Sequence, residues 1–252
     1  MITMLKFLLL LYSIVALLLY VSQRKMLYFP TVNNAVVADK PIMLDVNGQQ
    51  LQAWRVNPGK SQLMLYFGGN AEAVEENISE FSQIFPSYTL YLIAYRGYGA
   101  STGSPNETTL NQDALTIYDQ LVNDYKKISV MGRSLGSGVA VHLSANRKID
   151  KMILVTPFDS ILNVAKEIYW MFPLSILLTD KFESWRKVQH INNKSLLLIA
   201  EQDEVIPAKH GKNLAKFFSS GNVEVIIIKG AGHNTIGEFQ SYWQALVQFA
   251  QE

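Results

Sequence analysis

The chain contains no cysteine. Disulfide staples, thiolate catalysis and cysteine metal sites are therefore excluded. It also lacks a charge excess, since 22 basic and 21 acidic residues leave a formal net charge of +1. That balance gives no electrostatic footing for nucleic acid or for an acidic polymer. Internal repeats, low-complexity tracts and long charge runs are missing too. The glycine pair Gly68-Gly69 begins no Gly-x-Gly-x-x-Gly and is followed by no Gly-Lys-Ser, which removes the dinucleotide and P-loop readings. No run of residues has the spacing of a metal site, so neither a metal nor an organic cofactor is expected.

What is present is apolar surface: 252 residues, 49% of them hydrophobic, are enough for one large α/β domain. Part of that excess lies at the amino terminus. Phe7 to Val21 is almost continuously apolar, preceded by Lys6 and followed by Arg24 and Lys25. The run is near the lower limit for a membrane span. A cleaved signal peptide would need small residues after the apolar core, and Val21-Ser22-Gln23-Arg24-Lys25 does not supply them. Residues 1–25 are therefore expected to form an uncleaved membrane anchor, and 26–252 the folded domain. Arg24 and Lys25 weigh slightly toward a cytoplasmic domain, but the free amino group nearly cancels that, so the side is not readable.

Beyond the anchor, apolar runs and turn signals alternate. Pro41 to Asp45 and Gln50 to Val56 read as strands around an Asn47-Gly48 hairpin turn. Leu63 to Phe67, Thr89 to Ala94, Lys151 to Val155, Ser195 to Ala200 and Val223 to Ile228 read as further strands, several apolar on both faces. Helical spacing runs through Val74–Phe85, Leu110–Val122 and Glu238–Phe249. Ser104-Pro105-Asn106-Glu107 has the form of a capping box before the second of these. The rhythm is that of an α/β domain.

The most informative stretch is Ile128 to Gly138, in which an apolar run climbs to Gly132-Arg133-Ser134-Leu135-Gly136 and leaves into a helical pattern. A Gly-x-Ser-x-Gly between strand and helix is the signature of a nucleophile elbow. The glycines admit a close neighbouring backbone, and the strained turn lifts the serine hydroxyl clear of the sheet. The Leu135 N–H would then stand at a helix start, where an oxyanion forms. A serine N-cap on a glycine-rich turn is the plainer alternative. Gly68-Gly69, after a buried strand, reads either as a tight connection or as a backbone approaching a substrate oxygen, with Gly69 or Asn70 as second oxyanion donor.

Two later loops supply partners for a serine. Asp203 follows the Ser195–Ala200 strand, with Glu201 and Glu204 as more solvated alternatives. His233 sits among small residues after the last strand, while His142, His190 and His210 have weaker claims; His210 is expected to brace a helix start as neutral imidazole. The order Ser134, Asp203, His233 is that of an α/β-hydrolase triad. Arg96 is expected to brace its glycine-rich loop rather than bind an anion. Residues of about 158–188 interrupt the pattern. Their aromatic stretch, broken by Pro173, is expected to form a lid or acyl-binding wall with Tyr169, Trp170 and Phe172 as substrate contacts.

Taken together, Tyr28-Phe29-Pro30, Gly68-Gly69-Asn70-Ala71, Tyr95-Arg96-Gly97-Tyr98-Gly99, the elbow, Asp203-Glu204-Val205-Ile206-Pro207 and Gly232-His233 resemble the α/β-hydrolase superfamily. The resemblance is to a bacterial member of its membrane-anchored Bem46-like and ABHD13/ABHD17-like group. It implies an eight-stranded, mostly parallel sheet with helices on both faces and a small cap insertion. It also implies Ser134 as nucleophile, Asp203 as acid and His233 as base, with Leu135 and Gly69 (Asn70 as the alternative) giving the oxyanion hole. Phe67 stands where the family has a histidine that braces the oxyanion loop. The implied activity is hydrolysis of an ester or thioester, on a small-molecule, lipid-like or protein-borne acyl group near a membrane. A serine aminopeptidase-like amide hydrolase and a noncatalytic membrane-tethered binding protein are the alternatives.

Overall fold

The computed structural model describes residues 2–32, 40–219 and 221–251. Helix α1 (Ile2–Leu27) takes up the amino-terminal apolar run, with Arg24 and Lys25 in its last turn, where cations complement the helix dipole. It buries no residue fully, yet Tyr28 immediately after it is buried in the core of the domain.

Strands β1 (Ile42–Val46) and β2 (Gln49–Val56) form the expected hairpin, with Asn47 and Gly48 both at positive φ, as a tight hairpin turn requires. Then come β3 (Gln62–Phe67), α2 (Ile78–Ile84), β4 (Tyr88–Ile93), α3 (Glu107–Leu121), β5 (Lys127–Arg133), α4 (Leu135–Asn146) and β6 (Lys151–Val155). The segment after β6 holds three short helices, α5 (Ile161–Ile168), α6 (Leu174–Leu177) and α7 (Ser184–Lys187). The chain ends with β7 (Lys194–Ala200), α8 (Ala208–Ala215), β8 (Val223–Ile228) and α9 (Gln240–Gln251).

The eight strands form one sheet in the order β1-β2-β4-β3-β5-β6-β7-β8. β1 and β2 pair antiparallel, β2 pairs antiparallel with β4, and every other pairing is parallel. Every residue of β4 and of β6 is buried, which explains their unbroken apolar composition. α3 packs on α4, and α2 on α9. The fold is thus the α/β-hydrolase sheet with its helical layers. One local expectation changes: the capping box of α3 is built by Asn106 and Thr109, not Ser104 and Glu107, because Pro105 lies before the helix rather than inside it.

The parallel register brings Phe67 of β3 and Leu154 of β6 to either side of Gly132, so the elbow leaves the middle of the sheet at its carboxyl edge. Here the glycines are a steric necessity. A Cβ on Gly132 would lie 2.2 Å from the Gly136 carbonyl oxygen, and one on Gly136 would lie 2.0 Å from that of Phe67. Neither contact can relax by moving a side chain. Gly136→Ala is expected to cost about 3 kcal/mol or more in unfolding free energy, as overpacking against backbone does. Gly237→Ala, whose new methyl meets only Trp243 at 3.8 Å, is expected to unfold near wild type in the same urea titration.

Candidate active site

Ser134 sits between β5 and α4 with φ 50° and ψ −116°, a left-handed backbone that a side-chain-bearing residue adopts only under constraint. Its N–H donates to the Val155 carbonyl (2.8 Å), and its own carbonyl accepts from the Ser137 N–H and Oγ (2.9 and 2.6 Å). The hydroxyl is thereby aimed past the sheet edge.

The other two residues arrive from the ends of β7 and β8. His233 Nε2 lies 3.0 Å from Ser134 Oγ, and its Nδ1 lies 2.8 Å from Asp203 Oδ2. Asp203 is held in turn by the Val205 and Ile206 N–H groups, which donate to Oδ1 at 2.9 and 2.6 Å. All three residues are buried. The three side chains predicted from sequence therefore form one hydrogen-bonded chain, in which the carboxylate fixes the imidazole with Nε2 facing the serine. Glu201 and Glu204 take other parts: they accept from the Gly230 N–H (2.9 Å) and the His233 N–H (3.2 Å), bracing the histidine loop.

The oxyanion loop departs from expectation at one atom. The Gly69 N–H donates to Glu72 Oε2 at 2.5 Å, so it is already engaged. Asn70, the alternative, lines the cavity in front of Ser134 together with Leu135. The Asn70 side chain is occupied elsewhere, accepting from the Phe29 N–H (2.9 Å) and Tyr98 hydroxyl (2.7 Å) and donating to the Leu27 carbonyl (2.7 Å). Leu135 is the first residue of α4, where backbone N–H groups have no partner within the helix.

Glu72 and Arg133 are the residues that reading the sequence missed. Glu72 also accepts from the Tyr66 hydroxyl, Asn77 Nδ2 (2.8 Å) and Arg133 Nη1 (3.1 Å). Arg133 reaches on to the His233 carbonyl (3.4 Å) and Asn234 Oδ1 (3.2 Å). One half-buried ion pair thus ties the Gly68-Gly69 loop, the elbow and the histidine loop. Burial disfavours the guanidinium charge, yet the neighbouring Glu72 outweighs it and raises the Arg133 pKa. Phe67 stacks on Tyr95 (6.4 Å between centroids), whose hydroxyl donates to the Gly68 carbonyl at 2.8 Å. Bracing of this loop therefore comes from Glu72 and Tyr95. An arginine inside the elbow motif was the one signal in the sequence that a carboxylate had to lie nearby.

In front of Ser134 lies a cavity of about 320 Å³, walled by Ile161, Val164, Ala165 and Ile168 of α5 and by Leu174 and Leu177 of α6. No charged side chain lines it among the described residues. Of the three predicted contacts, only Tyr169 is on this wall. Trp170 is 76% exposed, and Phe172 stacks on Tyr12 of α1 at 5.1 Å. The correction has a simple cause: α5 ends at Ile168, so its apolar stripe and Tyr169 line the cavity while Trp170 and Phe172, beyond the end of the helix, do not. Arg96 braces as expected, with a bidentate pair to Asp113 (both 2.6 Å). Among the described residues, no group of three or more His, Asp or Glu side chains is placed to hold a metal ion.

The remaining histidines stand apart from the triad. Burial, with Lys187 and Arg147 nearby, lowers the His142 pKa to about 4 and keeps it neutral. His210 in α8 does brace, set between two carboxylates. Its Nδ1 lies 2.9 Å from Asp159 Oδ1, and its Nε2 lies 2.9 Å from Glu167 Oε1 of α5, a charge contact without hydrogen-bond alignment. Burial opposes its charge, but the bond to Asp159 and the two carboxylates outweigh burial and raise its pKa. For Asp159, burial works upward, while the bonds from His210 and Asn163 prevail and lower its pKa.

A raised imidazole stabilises the fold below its ordinary value and loses that contribution as pH rises through the folded value. A lowered carboxylate stabilises above its ordinary value and loses that contribution as pH falls. The pair is thus worth most between about pH 4 and 6.5. The melting temperature of wild type over His210→Asn is expected to be greatest in that window. It is expected to shrink as pH rises beyond it, as a thermal melt series reads directly.

No family model matches the chain. Protein bem46 of Schizosaccharomyces pombe is 28% identical over 208 residues, 78% of this chain and 69% of that protein. The alpha/beta hydrolase domain-containing protein 17C of Xenopus laevis is 29% identical over 203 residues, 77% of this chain and 63% of that protein. Among solved structures, the Pyrococcus furiosus esterase Pf2001 superposes with a TM-score of 0.71 at 18% identity, covering 89% of this chain and 96% of that one. With this sheet and this elbow, the chain has the α/β-hydrolase fold, and it is similar in sequence to Bem46- and ABHD-like proteins.

Proposed function

We propose that the chain is a serine hydrolase that moves the acyl group of a hydrophobic ester or thioester first to Ser134 and then to water. The observation that carries this reading is the unbroken chain from Ser134 Oγ through His233 to Asp203, opening on an uncharged apolar cavity. His233 Nε2 takes the serine proton as Oγ attacks the carbonyl carbon, and Asp203 holds the imidazole in the required tautomer and stabilises its cation. The tetrahedral oxyanion is received by the Leu135 N–H and the Asn70 N–H. Asn70 is preferred over Gly69 because Glu72 already takes the Gly69 N–H. Each such donor is typically worth about 3 kcal/mol in the transition state. The imidazolium then protonates the departing alkoxide or thiolate. Water attacks the acyl-serine by the reverse path, and carboxylate leaves.

The cavity favours this substrate class over its alternatives. An aminopeptidase-like site needs a carboxylate to receive a free amine, whereas the lining of this cavity is uncharged among the described residues. A binding protein that had abandoned chemistry has no need of an aligned acid–base–serine chain. Helix α1 is long and apolar enough to cross a membrane, and it supports a membrane-borne substrate, whether lipid-like or an acylated protein. The esterase named among the structural neighbours points to the same chemistry.

A fluorophosphonate probe is expected to label the wild-type protein on Ser134 and to leave Ser134→Ala unlabelled. With a short acyl ester, His233→Ala and Asp203→Asn are each expected to lower kcat about 10⁴-fold, the scale seen when a triad member is lost. Well-folded wild type that neither labels nor hydrolyses esters and thioesters sinks the proposal.

A further inference from the structure

The amino-terminal helix does more than precede the domain. Leu19, Tyr20, Gln23, Met26 and Leu27 line the cavity in front of Ser134, opposite the α5 and α6 residues. These positions recur at helical spacing, so one stripe of α1 faces the cavity while Leu17 and Val21 point away and are well exposed. The placement is fixed by polar contacts to cap, oxyanion loop and core. Gln23 Oε1 accepts from the Thr179 N–H and hydroxyl (2.8 and 2.9 Å), and its Nε2 donates to the Leu177 carbonyl (3.2 Å). Arg24 and Tyr28 meet on Asp180, at 3.5 and 3.0 Å. Asn70, beside the serine, holds the Leu27 carbonyl and the Phe29 N–H.

A second observation says what the cavity opens toward. Tyr12, in the middle of the Phe7–Val21 apolar run, donates its hydroxyl to the Met171 carbonyl (2.9 Å) and stacks on Phe172. The tip of the cap therefore lies beside the most apolar part of α1, about 15 Å along the helix from Ser22 at 1.5 Å per residue. A bilayer that receives α1 along this run receives the cap tip with it. The tip is dressed for that: Ile168, Trp170, Met171 and Ile176 are all strongly exposed there. In water, an apolar group of this size at one end of a cavity is a liability; in hydrocarbon it is not.

We infer that α1 is one wall of the acyl pocket, so that the chain draws a bilayer-borne acyl group between α1 and the cap and α1 side chains set the length it accepts. This rests on the serine hydrolase reading for its chemistry, but the pocket itself does not. The occupant is a lipid-borne hydrocarbon chain: both walls are mostly apolar and uncharged, and the exposed apolar surface around them matches a leaflet, not a folded protein.

The test uses the full chain in phosphatidylcholine–phosphatidylglycerol vesicles and two substitutions on the same helix. Leu19→Trp fills the cavity wall, whereas Leu17→Trp adds the same ring to the outward face. The ratio of kcat/KM for hexadecanoyl over butanoyl p-nitrophenyl ester is expected to fall about tenfold or more in Leu19→Trp, the equivalent of a few methylenes shut out, and to stay at the wild-type value in Leu17→Trp. Direct binding of hexadecanoate to chains that also carry Ser134→Ala, read without chemistry, is expected to show the same contrast. Equal ratios and equal affinities in the two variants overturn the inference. A contrast in binding on a protein that never labels at Ser134 upholds the pocket and rejects the hydrolase reading instead.

Discussion

Everything in this molecule depends on one crowded turn. Ser134 is held at φ 50° because α4 must start as soon as β5 ends, with the Phe67 and Gly136 carbonyls packed where side chains would otherwise stand. Such backbone strain costs on the order of 1–3 kcal/mol. It is offset by the parallel strands on either side, which fix Gly132 against Phe67 and Leu154. The sheet is the anvil on which the serine is raised.

From that turn the site is assembled by loops at the carboxyl ends of strands, the usual place for chemistry on an open parallel sheet. Asp203 and His233 each leave a neighbouring strand end and meet where the elbow points. The loops are kept from drifting by a charge pair rather than by packing alone. Glu72 and Arg133 lie where the Gly68-Gly69 loop, elbow and histidine loop converge, and they bond to all three. A half-buried pair of this kind adds less to stability than to uniqueness of geometry, and geometry is what a hydrogen-bonded serine requires.

How much of this could be read from the residues follows from how local each signal is. The strands were legible because their apolar runs are uninterrupted, and the meeting of Ser134, Asp203 and His233 because each lies in the loop that follows such a run. The elbow glycines declared a close backbone approach before any neighbour was known. Glu72 could not be placed, since a carboxylate in a loop between strand and helix looks like any solvated surface residue. The cap was misread for the opposite reason: Trp170 and Phe172 are conspicuous in sequence, but the end of α5 at Ile168 turns the quieter Ile161, Val164 and Ala165 to the cavity. The seating of α1 against the cap joins residues more than 150 positions apart, as Tyr12 and Met171 show. No local pattern carries that kind of information. His210 shows a related limit, because its pKa is raised by Asp159 and Glu167, which only the fold brings to it.

The account's central claim is that an acyl group rests on Ser134 during turnover. The most direct measurement is rapid-quench kinetics with a p-nitrophenyl ester, followed by mass analysis of the peptide containing Ser134. The account predicts a burst of p-nitrophenol matching the enzyme concentration, and a Ser134 peptide heavier by the acyl group at the end of that burst. Turnover with no acylated Ser134 peptide, or an equal rate from Ser134→Ala, would contradict it.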